Sequence, residues 1–300
     1  MTSDEMSPHA PAVLPLRPTN AQRIALAQEG LAWVTDTPRL DAEILLARAL
    51  DMPRAALLAR LHERTDVPGF DALLERRLTY EPLAYILREW EFYSLGFKVV
   101  APLLVPRPET EHLVEAVLEH VGGASVRVLD CGTGTGCVAV GIAYNAPGCC
   151  VVATDANSLA IEVAGENAAR HGVAERVELR VGDFFGALSP RDALFDVVCS
   201  NPPYVEEGAW PELSPVIRMH EDPAALLAGA DGLDVIRRIV QEAPRFLRPG
   251  GLLAFEIGEG QAAGVADILG RHGYEKVRFR RDLAGIQRVA CAERPVFECG

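Results

Sequence analysis

Apolar positions recur at helical spacing over residues 19–80 and then alternate between strand and helix periods along the rest of the chain. Ile24, Leu26 and Leu31 define a first amphipathic segment. Thr37-Pro38 supplies a cap and a first-turn proline for a second, which carries Leu40, Ile44, Leu45 and Leu50. Pro53 and Pro68 punctuate two more short helices, the later one with Leu73, Leu74 and Leu78. The pattern predicts a small helical domain over residues 20–85, with no catalytic constellation of its own and a role in recognition or support. Residues 86–105 are expected to form a β-hairpin linker, because aromatics there flank a Ser94-Leu95-Gly96 turn. A helix follows Pro108, with Leu113, Val114, Val117 and Leu118 on its buried face.

Beyond Gly122-Gly123 the chain repeats strand, loop and helix. Strands are predicted at residues 126–130, 149–155, 176–181, 195–200 and 252–257. Helices are predicted at 137–145, 158–170 and 233–247, the last ending before Pro249-Gly250-Gly251. The tail, 276–281 and 287–292, pairs as an antiparallel hairpin. Such alternation gives a Rossmann-like α/β domain over residues 106–300, a mostly parallel seven-stranded sheet with helices on both faces.

Composition narrows the class. Of 300 residues, 49% are hydrophobic and 24% charged, which excludes wholesale disorder and leaves enough apolar surface for a core without disulfides. No apolar run approaches the length of a membrane helix. Residues 1–19 hold Asp4 and Glu5, one base (Arg17) and four prolines; they are expected to be a disordered arm and not a signal peptide, which points to the cytoplasm. Twenty-nine Lys and Arg against 42 Asp and Glu give a net charge of −13, which argues against stable nucleic-acid binding. The one dense basic stretch, residues 276–281, alternates like a solvated edge strand. Seven cysteines without Cys-x-x-Cys, and histidines without His-x-x-x-His, suggest neither a disulfide framework nor a metal site.

The first predicted strand of the α/β domain ends in Asp130-Cys131-Gly132-Thr133-Gly134-Thr135-Gly136. Glycines there let the backbone turn sharply and approach a ligand at the carboxyl edge of the sheet. A bare strand-to-helix turn is the plain alternative. Asp155, at the end of the second strand, is placed to bind ribose hydroxyls of either a dinucleotide or S-adenosylmethionine. Asp183-Phe184 closes the third strand, where an acid can meet an adenine amino group and an aromatic ring can cover the base, although Asp183 also suits a simple turn.

The fourth strand runs into Asn201-Pro202-Pro203-Tyr204. Neither proline has an N–H, so the stretch offers rigid carbonyl acceptors. The Asn201 side-chain oxygen and the Pro202 carbonyl can each accept one hydrogen from a substrate NH₂ group, holding its nitrogen in line for attack on a sulfonium methyl. Tyr204 supplies a wall against a planar amide or base. No strong general base is needed, because the nitrogen loses its proton after the methyl arrives. The chemistry suits carboxamides and nucleobases alike.

These motifs resemble the HemK/PrmC family of release-factor glutamine methyltransferases, as do flanking segments. The flanking segments are Arg39-Leu40-Asp41-Ala42-Glu43, Glu81-Pro82-Leu83-Ala84-Tyr85-Ile86-Leu87 and Val105-Pro106-Arg107-Pro108-Glu109-Thr110-Glu111. Downstream come Asp231-Gly232-Leu233-Asp234, Pro249-Gly250-Gly251 and Asp282-Leu283-Ala284-Gly285 with Arg288-Val289. The resemblance implies a class I S-adenosylmethionine-dependent methyltransferase fold. It also implies methyl transfer to the side-chain amide nitrogen of the glutamine in the Gly-Gly-Gln motif of peptide-chain release factors. By the same likeness Gly132, Thr133, Gly134, Thr135, Gly136, Asp155, Asp183, Phe184 and Asn201 contact the cofactor. Asn201, Pro202, Pro203 and Tyr204 hold the glutamine, and the helical domain helps recognise the factor. Related enzymes of a ribosomal protein carry Arg-Ser-Pro where this chain has Arg107-Pro108-Glu109. A DNA adenine methyltransferase would share Asn-Pro-Pro-Tyr but needs a basic cleft for a flipped base. Three positions differ from the family pattern: Arg88 replaces a usual glycine, Phe184 a frequent tryptophan, and Glu221-Asp222-Pro223 the usual Glu-Pro.

Overall fold

The computed structural model describes residues 17–189, 191, 192 and 194–296. The arm expected over residues 1–19 lies outside them as far as residue 16. Thr19 caps the first helix, forming a capping box with Gln22. Close contacts divide the chain into two compact units after Ile86.

The first unit holds α1 (Asn20–Leu31), α2 (Pro38–Ala49), α3 (Arg54–Leu58) and α4 (Phe70–Leu78). Its core gathers Ile24, Leu31, Leu45, Leu46, Leu57 and Phe70. Leu26, Leu40 and Leu78, counted among the periodic apolar positions, are 44%, 38% and 39% exposed. The four helices are short, and each buries only one to four apolar residues. A short helix α5 (Leu83–Leu87) follows.

In the second unit, β1 (Glu89–Phe92) and β2 (Leu95–Lys98) pair antiparallel. Their two-residue turn is Tyr93-Ser94, both at positive φ, and not Ser94-Leu95-Gly96. That is the turn geometry that matches strand twist. Arg88, a position at which glycine was expected from the family pattern, also adopts positive φ (60°).

The main sheet is built from β3 (Arg127–Cys131), β4 (Cys150–Asp155), β5 (Val177–Val181), β6 (Phe195–Ser200), β7 (Leu247–Glu256), β8 (Glu275–Arg281) and β9 (Gln287–Glu293). Their order is β5-β4-β3-β6-β7-β9-β8. The first five are parallel, and β9 inserts antiparallel between β7 and β8. The helices are α6 (Glu111–Val121), α7 (Cys137–Asn145), α8 (Ser158–Arg170), α9 (Pro215–His220), α10 (Asp234–Glu242) and α11 (Ala262–Arg271). Two apolar layers cover the two faces: Leu113, Val117, Val140 and Ile142 on one, and Ile236, Ile239, Leu253 and Leu269 on the other.

The helix expected over residues 233–247 stops at Glu242, and a 3₁₀ turn (Ala243–Arg245) follows. Pro244 cannot donate the next helical hydrogen bond. β7 accordingly starts at Leu247 and runs through Pro249-Gly250-Gly251, which the sequence pattern had placed between elements. Its pairing with β6 is irregular between Phe195 and Val197.

Candidate active site

β3 and β6 are neighbours, and the chain builds outward in opposite directions from them. That is the switch point at which open α/β sheets form a crevice beyond the carboxyl ends of their strands. The glycine loop follows β3 and the Asn-Pro-Pro-Tyr segment follows β6, so topology brings the two motifs together. The Ser200 hydroxyl donates to the Cys131 carbonyl at 2.7 Å, fastening the two strand ends.

Gly132, Gly134 and Gly136 all adopt positive φ (72°, 55° and 81°). Their roles differ. A Cβ on Gly136 would lie 2.8 Å from the Cβ of Ala164, so this glycine lets α7 start against α8 and does not line the cavity described below. A Cβ on Gly134 would meet nothing within 4 Å. The loop is braced from beneath: Thr133 donates to Asp130 at 2.7 Å, and the Gly132 and Thr133 amides donate to the Thr154 carbonyl. Burial pushes the Asp130 carboxyl up to about 7, against the lowering effect of its Thr133 hydrogen bond. Asp155 accepts from the Gly134 amide at 2.8 Å through one oxygen and from the Asn157 amide at 2.9 Å through the other. Burial raises its pKa as well. Each oxygen retains a lone pair for a further donor.

Phe184, at φ 49°, sets its ring beside Gly132. The Arg238 guanidinium lies 5.5 Å from that ring's centre and donates to Asp183 at 2.6 Å. Asp183 therefore has a cationic partner that periodicity did not reveal. Phe185 points into the core and stacks on Phe246.

A cavity of about 490 Å³ opens over the loop. Gly132, Thr133, Gly134, Thr135, Asp155, Asp183, Phe184, Asn201 and Pro203 line it. Leu103, Leu104, Pro106 and Thr110, then Cys137, Val138, Ala156 and Asn157, and the segment Asp222, Ala224 and Ala225 complete the walls. A narrow slot of about 30 Å³ beside it shares Leu104, Asn201 and Ala225 and adds Arg107, Pro202, Tyr204 and Leu226. Pro202 and Tyr204 thus face the slot, whereas Asn201 stands between the two spaces.

Phe255 of β7 pairs with Ser200 at the end of β6, so the next residues, Glu256 and Asn201, sit side by side at the carboxyl edge of the sheet. Glu256 is buried and accepts from Thr110 at 2.6 Å and from the Tyr204 hydroxyl at 2.9 Å. The Asn201 amide nitrogen in turn donates to Thr110 at 3.0 Å. Burial, with the Glu256 charge beside it, pushes the Tyr204 phenol well above its usual range. Burial also raises the Glu256 carboxyl. The Tyr204 carbonyl is fixed by Gln261 at 2.9 Å, and a Cβ on Gly232 would fall 2.3 Å from it.

Thr110, Glu256, Arg238 and the Arg107–Glu221 pair escaped the motif reading. Glu256 and Arg238 carry no local signature. Arg107 and Thr110 stood only inside a segment noted for its likeness to a family, and Glu221 in one noted as a departure from the family pattern. Among the described residues, no three His, Cys, Asp or Glu side chains group so as to hold a metal ion, and no helix is long and apolar enough to cross a membrane. The six described cysteines are unpaired.

Residues 108–264 match the methyltransferase small domain family, and residues 23–87 match the PrmC N-terminal domain. The release factor glutamine methyltransferase of Nitratidesulfovibrio vulgaris is 41% identical over 268 residues, covering 88% of this chain and 90% of its own. That of Moorella thermoacetica is 42% identical over 264 residues, covering 86% and 92%. Among solved structures, a methyltransferase from Pyrococcus furiosus aligns with a TM-score of 0.52 at 19% identity, over 68% of this chain and 91% of its own. The N-terminal domain of human METTL16, solved in complex with SAH, aligns at 0.51 and 17% identity, over 73% and 83%. At such identities these structures bear on the fold alone, a class I methyltransferase sheet.

Proposed function

The chain belongs to the release factor glutamine methyltransferases, and we propose that the crevice between β3 and β6 is where it methylates the side-chain amide nitrogen of the glutamine in the Gly-Gly-Gln motif of a release factor. Its methyl donor is S-adenosylmethionine. The observation that carries the assignment of the site is the meeting of a glycine loop with Asn201 and Pro203 around one cavity, with Pro202 and Tyr204 facing the slot beside it.

The lining fits the donor. Its volume lies within the usual range for small-molecule sites. Asp155 offers free lone pairs to ribose hydroxyls, the bare loop from Gly132 to Gly134 admits close approach, and Phe184 provides a flat apolar wall beside Asp183. When bound, the cofactor supplies an electrophilic methyl group.

The chain's own residues have to hold and orient the amide. The Asn201 nitrogen is committed to Thr110, which leaves its oxygen as an acceptor. The Pro202 carbonyl is the second acceptor. Two acceptors on one NH₂ group fix both the position and the lone-pair direction of its nitrogen, the orientation effect that converts an encounter into an in-line displacement. Leu104, Tyr204 and Leu226 wall the slot against the methylenes of the glutamine and limit water. The nitrogen gives up its proton after the new N–C bond forms.

A release-factor substrate puts the enzyme's work in the cytoplasm, and the net charge of −13 favours a protein over a nucleic-acid partner. The helical domain serves recognition of the factor, and residues 86–105 link it to the catalytic domain. The test is incubation of the protein with S-adenosylmethionine and unmodified release factor, followed by peptide mass spectrometry. One methyl group on the Gly-Gly-Gln glutamine is expected. Methylation elsewhere, or of DNA in a parallel incubation, overturns the substrate assignment.

A further inference from the structure

The hydrogen bonds behind Asn201 have a direction. In its ionised form, which the hydrogen bonds from Thr110 and Tyr204 favour against the raising effect of burial, Glu256 only accepts, so both hydroxyls that reach it must point their single protons at it. Thr110 then has only lone pairs to offer Asn201, and only the NH₂ end of the amide can satisfy them. A flipped Asn201 would set oxygen against oxygen and present donors to a substrate that itself brings donors. Glu256 and Thr110 are both about 1% exposed, so these hydrogen bonds, and not bulk water, satisfy them.

We propose that Thr110, oriented by Glu256, is a positioning residue for methyl transfer: it holds the Asn201 amide with its oxygen toward the substrate nitrogen. Tyr204, fixed by the other oxygen of the same carboxylate, is set in register with it, so one buried acid orders both ends of the Asn-Pro-Pro-Tyr segment. Neither Thr110 nor Glu256 is asked to touch the reacting atoms. The proposal rests on the role given above to Asn201.

The test compares Thr110→Val, Thr110→Ser, Glu256→Leu and Asn201→Ala in the full chain, with purified release factor as substrate. Thr110→Val removes the acceptor at similar volume and should lower kcat by about tenfold or more, with KM for release factor and cofactor affinity within about twofold. Thr110→Ser keeps the hydroxyl and should retain most of the turnover. Glu256→Leu frees both hydroxyl protons and should lower kcat at least as far as Thr110→Val. If Glu256→Leu does not fold, the threonine pair and a double-mutant cycle decide. On the Asn201→Ala background, Thr110→Val should produce no further loss, because it has no amide left to orient. Thr110→Val at the wild-type rate, Thr110→Ser as slow as Thr110→Val, folded Glu256→Leu at the wild-type rate, or equal losses from Thr110→Val on both backgrounds each overturn the proposal. Wild-type turnover by Asn201→Ala itself would instead overturn the role of Asn201 on which the proposal stands.

Discussion

Arg107 donates from Nη2 to both carboxylate oxygens of Glu221, at 2.7 Å each, and so ties the segment before α6 to the loop beyond Asn201 across 114 positions of sequence. The Glu221 side chain is 1% exposed and that of Arg107 31%. The loop it anchors continues into Asp222, Ala224 and Ala225, which wall the cavity.

Removing one partner of such a pair leaves a buried charge alone. Arg107→Ala is expected to cost roughly 2–3 kcal/mol of stability, below the value for a fully buried pair because the arginine is partly exposed. It should also weaken cofactor binding through the loosened wall. Urea unfolding of Arg107→Ala beside Arg107→Ala/Glu221→Gln checks this: the double variant should recover part of the loss, and equal stability of both variants would show that the stranded charge is not the cause.

The glycines of the loop separate stability from binding. Gly136→Ala forces a Cβ to within 2.8 Å of Ala164 at φ 81° and should destabilise the fold by about 2–3 kcal/mol. Gly134→Ala meets open space and should cost about 1 kcal/mol of backbone strain while reducing cofactor affinity more than Gly136→Ala does. Thermal unfolding and calorimetric titration of the two variants would expose a reversed order.

Asp155→Ala should weaken S-adenosylmethionine binding by ~1.5–3 kcal/mol, since ribose hydroxyls lose a charged acceptor and the Gly134 amide loses its brace. Unchanged affinity in a folded variant, measured by calorimetry, would remove Asp155 from the site.

Asp130 supplies a pH signature. Its folded pKa, about 7, lies above the ordinary carboxyl value of 3.8, so the folded state binds the extra proton. The resulting stabilisation is fully present below the unfolded value and is lost as pH rises through the folded one. Wild-type stability should therefore fall between about pH 4 and pH 7 by up to a few kcal/mol relative to Asp130→Asn, which carries no such proton. Parallel slopes for the two proteins in denaturant titrations across that range would contradict it.

What could be read from sequence was what lies close together in sequence. The loop from Gly132 to Gly136, Asp155 at a strand end, and Asn201 to Tyr204 are local signatures, and strand alternation placed them at one edge of the sheet. The supports behind them are not local. Thr110 meets Glu256 across 146 positions and Asn201 across 91, contacts decided by which strands become neighbours. The insertion of β9 between β7 and β8, the pairing of Arg238 with Asp183 and the packing role of Gly136 belong to the same kind. Periodicity also overstated the buried faces of α1, α2 and α4, because it marks apolar residues without saying how many a small domain has room to bury.

The most direct test of the central claim is single-turnover methylation of purified release factor by the wild type, Asn201→Ala and Asn201→Asp, with cofactor affinity measured on the same preparations. Losing one group that positions the reacting nitrogen should slow Asn201→Ala by on the order of 10²–10³, with a much smaller change in S-adenosylmethionine binding. Asn201→Asp keeps the acceptor but places a negative charge beside the sulfonium and loses the donor to Thr110, so its rate should fall between alanine and wild type. Wild-type rates in both variants would contradict the amide clamp.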